Sequence, residues 1–131
     1  MVHIYPYWDG IPIEGCGQDW GAVFITVGDP VTRHRPGENL SGCHTLQVDL
    51  RGPSRMTTLH IGMKDSNMPD DGSETQVAVP VGRSWATTSI PLRRFTTLGP
   101  TRVYVVIEFV FEAGSPCQQI YFRNLRFRCR S

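Results

Sequence analysis

Four of the thirteen aromatic side chains, Tyr5, Tyr7, Trp8 and Trp20, fall in one short stretch among Gly, Pro, Asp and Gln rather than on an alternating apolar strand. Rings in polar surroundings offer flat apolar surfaces with hydrogen-bonding groups beside them. That combination holds the C–H face of a pyranose and its hydroxyls. A second set is defined by parity: Gln47, Asp49, His60, Lys64, Gln76, Tyr104 and Glu108 all stand opposite the apolar residues of their strands. If those strands are neighbours, the set forms one polar face able to bind hydroxyl groups.

Catalysis needs more than this. A hydrolase requires a nucleophile with its base and orienting group, or two carboxylates at a working separation. Neither G-x-S-x-G nor H-E-x-x-H occurs in the chain. Asp49 and Glu108 are a carboxylate pair that parity would let face each other, yet carboxylates scattered over a sheet are ordinarily hydroxyl acceptors. No catalytic residue is assigned, and the chain is expected not to be an enzyme. Nor is a metal ligand set expected: the four histidines lack ligand spacing, and Cys16, Cys43, Cys117 and Cys129 contain no C-x-x-C. The segment Asp65–Glu74 gathers oxygen ligands, but Pro69 breaks the spacing a calcium loop demands, so an exposed acidic hairpin loop is expected.

The elements that must position these groups read as strands. Apolar alternation marks Ala22–Val27, Thr45–Leu50, Thr57–Met63, Gln76–Val81, Ala86–Pro91, Arg102–Phe111 and Ile120–Phe127, with Gly- and Pro-rich turns between them. Arg102–Phe111 is apolar on nearly both sides and belongs in the middle of a sheet. In the last strand Ile120 and Phe122 share one parity while Leu125, Phe127 and Cys129 share the other, which predicts a bulge near Arg123-Asn124. No window keeps helical spacing without a Gly or Pro interrupting it. The chain is therefore all-β, a sandwich or barrel.

With 131 residues, 40% hydrophobic composition and a formal charge of +1, residues 1–131 make one domain, and net charge offers no drive toward nucleic acid or membrane. No apolar run reaches the roughly 20 residues that span a bilayer, and the first residues lack a signal-peptide core. Lys64 is the only lysine, so basicity rests on arginine. Arg123, Arg126, Arg128 and Arg130 make the last strand basic, read chiefly as an edge strand protected by charge and alternatively as a contact for an anionic partner. The four cysteines fit two disulfides with three connectivities; Cys16–Cys43 and Cys117–Cys129 are the most local pairs.

Five segments, in order, resemble galactose-binding-like jelly rolls. They are Gly37-Glu38-Asn39-Leu40-Ser41-Gly42, Leu46-Gln47-Val48-Asp49-Leu50-Arg51-Gly52, Leu59-His60-Ile61-Gly62-Met63-Lys64-Asp65-Ser66-Asn67, the Trp85–Phe95 element with Ile90-Pro91-Leu92, and the closing Ile120-Tyr121-Phe122-Arg123-Asn124-Leu125-Arg126-Phe127. The resemblance implies a β-sandwich of jelly-roll type and a non-catalytic carbohydrate-binding module, a secreted or extracellular part of a larger protein that holds a tethered catalytic domain against a polysaccharide. It implies that Trp20, with one of Tyr5, Tyr7 or Trp8, stacks on sugar rings while Gln47, His60, Lys64, Tyr104 and Glu108 on a concave sheet face select hydroxyls. Trp85 belongs to the packing pattern of its element. Similar modules often hold a structural calcium ion beside an acidic residue where this chain has Arg123, which argues against that ion; no cofactor is expected. The alternative is a protein- or nucleic-acid-interaction domain of the same fold using the arginine-rich surface.

Overall fold

The computed structural model describes residues 2–4, 11–15, 21–27, 37–52, 57–69, 71–111 and 118–130. Nine strands occur among them: β1 (Val2–Ile4), β2 (Ile11–Gly15), β3 (Gly21–Thr26), β4 (Cys43–Arg51), β5 (Thr57–Asp65), β6 (Gln76–Val81), β7 (Ala86–Pro91), β8 (Val103–Phe111) and β9 (Gln118–Cys129). All seven expected strands are present with ends shifted by up to two residues. The short β1 and β2 were not anticipated; three to five residues carry too little alternation to register.

The strands form two antiparallel sheets. The first has the order β1-β9-β4-β7, with β2 also pairing β9; the second runs β3-β8-β5-β6. Apolar residues of one parity turn inward from both: Leu46, Val48 and Leu50 of β4 and Ile120, Phe122, Leu125 and Phe127 of β9 meet Leu59, Ile61 and Met63 of β5 and Ile107, Phe109 and Phe111 of β8. The Phe109 and Phe122 rings join the layers with centroids 5.0 Å apart. Each fully buried side chain of this size contributes about 1.5–3 kcal/mol, which fixes which parity of every strand faces out.

As expected, β8 is central, between β3 and β5. The bulge in β9 is also found. Register moves by one between Gln47↔Arg126 and Asp49↔Arg123, and Asn124 takes φ 52°, a left-handed conformation that Asn tolerates better than most residues.

Two expectations need correction, and the cysteine connectivity, left open by the sequence, is decided for one pair. β9 is interior to its sheet, flanked by β4 on one side and by β1 and β2 on the other, so its arginines do not guard an edge. Of the three open connectivities, the one that joins Cys43 to Cys129 is found, the two standing directly opposite in the β4–β9 register; Cys16 and Cys117 lie outside the described residues. Antiparallel pairing brought the partners together across 86 residues, a closeness that local spacing does not reveal. The β5–β6 hairpin loop is not simply exposed: Asp65 and Glu74 are buried, and Asp65 accepts backbone hydrogen bonds from Asn67 (2.9 Å) and Gly99 (2.7 Å).

Candidate functional site

The polar residues expected on one face are divided between the two sheets. Gln47 and Asp49 belong to β4 of the first sheet, whereas His60, Lys64, Gln76, Tyr104 and Glu108 belong to β5, β6 and β8 of the second. Parity places a residue outward from its own sheet, but in a sandwich outward means opposite directions for the two layers. Gln47 therefore leaves the set, and Asp49 cannot pair with Glu108.

On the second sheet, register lines up Phe24, Glu108, Gly62 and Gln76 across β3, β8, β5 and β6. A parallel row joins Ala22, Val110, His60 and Ala78. Phe24 is 52% exposed, whereas Glu108 beside it is only 5% exposed. Gly62 makes room for this recess: a Cβ there would lie 2.8 Å from Oε2 of Glu108, so a larger residue would shift the carboxylate from its place over the β5 backbone. His60 is half-buried in the neighbouring row.

Lys64 and Tyr104 are both buried. The Lys64 ammonium donates to the carbonyl of Pro69 at 3.0 Å and so ties the strand to its following loop. Near Tyr104, both neighbours of β8 change register where they meet Val105. Val106 joins the core cluster while Val105 does not, so the extra residue lies in β8 and breaks the simple alternation. Tyr5, Tyr7, Trp8 and Trp20 lie outside the described residues.

The first sheet's outer face is organised around Asp49. Its carboxylate accepts from Thr87 Oγ1 (2.8 Å), Asn124 Nδ2 (2.8 Å) and Arg126 (3.4 Å), and lies 3.6 Å from Arg123 Nε. Burial pushes the Asp49 carboxyl up, but the hydrogen bonds from Asn124 and Thr87 and the Arg126 charge together hold it below the usual carboxylate value. Gln47 completes the network, donating to Ser89 Oγ (3.0 Å) and accepting from Arg126 Nε (3.2 Å). At the end of this face Arg51 lies over two rings, Tyr121 (4.6 Å) and Trp85 (5.3 Å), and Arg123 lies over Trp85 at 4.0 Å. Trp85 is half-buried on this outer face, a stacking surface as well as a packing residue.

The comparisons with known proteins follow the fold rather than the sequence. A family 30 carbohydrate-binding module of a Clostridium thermocellum cellulosomal cellulase superposes with a TM-score of 0.62 at 20% identity, covering 86% of this chain and 69% of that one. A family 11 module from the same organism, in complex with a β-1,3-1,4-mixed-linked tetrasaccharide, gives 0.62 at 15% identity over 98% and 95%. This chain shares the jelly-roll fold of carbohydrate-binding modules. No protein-family model and no curated protein matches the sequence. The resemblance drawn from five short motifs thus holds for the architecture.

The sequence alone missed Phe24, Arg51 and Tyr121 as surface features. Phe24 sits among Ala22, Val23 and Ile25, where the residue types do not mark an outer side, and Arg51 and Tyr121 become neighbours only through the β4–β9 register.

Proposed function

We propose that this chain is a non-catalytic polysaccharide-binding module whose ligand lies along the outer face of the second sheet. The observation that carries this reading is the shared fold, which extends over nearly the whole of the family 11 module solved with a bound tetrasaccharide. In the proposed site Trp20, with one of Tyr5, Tyr7 or Trp8, stacks on sugar rings, and Phe24 widens the apolar platform. Trp20 immediately precedes β3, the edge strand of the sheet that carries His60 and Glu108, which supports its assignment to this face. His60 and Glu108 select hydroxyl orientation; Lys64 and Tyr104, both buried, support the strands from which they project. A shallow preformed site of this kind binds with modest affinity, and repetition of the sugar along a polymer raises the effective strength. Such a module holds an attached enzyme, or a cell surface, against its glycan outside the cell, where a Cys43–Cys129 disulfide persists.

Affinity gels containing soluble polysaccharides test this, beginning with mixed-linkage β-glucan. Trp20→Ala is expected to abolish retention with little change in melting temperature. Unchanged retention, or failure of the native chain to bind any glycan in the panel, would sink the assignment.

A further inference from the structure

The row Trp85, Arg51 and Tyr121 lies on the opposite side of the sandwich from the site just proposed. Arg51 faces Tyr121 directly in the β4–β9 register, and Trp85 precedes Ala86, the partner of Leu50, so the three stand side by side across β7, β4 and β9. Arg51 is half-buried, yet among the described residues its guanidinium has no hydrogen-bond acceptor and no carboxylate partner, and its Nε is buried without a hydrogen bond. Among the described residues, two rings lie against it. Arg123 is little better supplied: its buried Nε also makes no hydrogen bond and stands 3.6 Å from an Asp49 oxygen already engaged by Asn124. Desolvated guanidinium donors left without acceptors are costly, whereas a stacked guanidinium keeps its in-plane N–H groups available to a planar anion.

From this we infer that the outer face of the first sheet carries a second binding site, for the carboxylate of an acidic polysaccharide, with Arg51 and Arg123 as its paired donors and Trp85 and Tyr121 as the rings that hold them in place. A neutral pyranose is a poor fit, because both rings already carry a guanidinium that it would have to displace. A nucleic acid fits less well: the chain has a formal charge of only +1, Asp49 lies against Arg123 and Arg126, and Arg126 is already engaged by Gln47 and Asp49, which interrupts the arginines of β9 as a continuous track for a phosphodiester chain. A uronate unit needs only one planar group with two oxygens, which a guanidinium matches edge to edge.

The test uses the full chain in affinity gels with polygalacturonate, its fully methyl-esterified form, mixed-linkage β-glucan and duplex DNA, each at low and raised ionic strength. Native protein is expected to be retained by polygalacturonate and not by the ester, with retention falling as salt screens the contact. Arg51→Gln is expected to weaken that retention by roughly tenfold or more. Arg51→Lys should weaken it too, since an ammonium keeps the charge but not the planar fork. Neither change should alter β-glucan retention, so failure of the second-sheet site and failure of this one give different patterns. Should Arg51→Gln lower the melting temperature by several degrees, Arg123→Gln serves in its place with the same expectation. Equal retention of native and variant chains, equal binding of the ester, or stronger binding of DNA than of polygalacturonate overturns the inference.

Discussion

The two outer faces of the sandwich use polar residues in opposite ways. On the first sheet, Asp49 of β4 is surrounded by donors from its two neighbouring strands, β7 and β9, and Gln47 joins the same network through Arg126. On the second, Glu108 lies recessed over a glycine beside an exposed phenylalanine. A carboxylate satisfied by fixed donors stabilises the strands that supply them; the one seated next to an exposed ring is the group that the proposed site assigns to a ligand. The difference teaches that outward parity does not by itself assign a role to a residue, and that the surroundings of each group must be read as well.

Three perturbations probe this division. The largest effect should come from the first sheet's cross-link. Replacing Cys43 and Cys129 together by alanine reopens a closure spanning 86 residues and is expected to lower unfolding stability by about 3–5 kcal/mol in urea titrations. A loss below about 1 kcal/mol would mean that the β4–β9 ladder needs no covalent support.

Next comes the Asp49 network. Asp49→Ala leaves several donors without their acceptor and should cost about 2–4 kcal/mol while leaving β-glucan retention intact. Its pH signature has a definite sign. Because the folded carboxyl is held below its ordinary value of 3.8, its contribution is fully present above that value and is lost as pH falls through the lower folded pKa. The native chain should therefore lose stability on acidification below about pH 4 more steeply than the variant. Parallel acid limbs would remove Asp49 from the centre of the network.

The smallest effect on stability, and the sharpest on binding, is expected at Gly62. Gly62→Ala pushes the Glu108 carboxylate off the β5 backbone; it should change stability by about 1 kcal/mol or less yet weaken β-glucan retention by roughly tenfold. A variant that binds as well as the native chain would show that the recess around Glu108 is a packing feature, and the contrast between the faces would collapse.

Much of the fold was legible because alternation is local. Leu46, Val48 and Leu50, or Val77, Val79 and Val81, announce a buried side by their spacing alone. Even the β9 bulge could be read from the change of phase between Phe122 and Leu125, since a one-residue slip must be absorbed somewhere if both are to reach the core. The candidate site was legible only in part. His60 and Glu108 do share the second sheet, but Gln47 was grouped with them because parity carries no label for the sheet. Trp85 and Tyr121 were not linked to Arg51, because nothing near any of them in sequence points to the others. The connectivity of Cys43 and Cys129 stayed open for the same reason.

The amino-acid sequence by itself determined that the chain is all-β, where most strands lie, which side of several is buried and that no familiar catalytic motif is present. Each of these rests on the chemistry of residues within a few positions of one another. The tertiary structure alone decided which strands share a sheet, which cysteines meet, and that the polar residues make two faces rather than one. Those outcomes depend on hydrogen-bonded pairing between segments far apart in the chain, and the free energy that selects one pairing belongs to the assembled core rather than to any single strand.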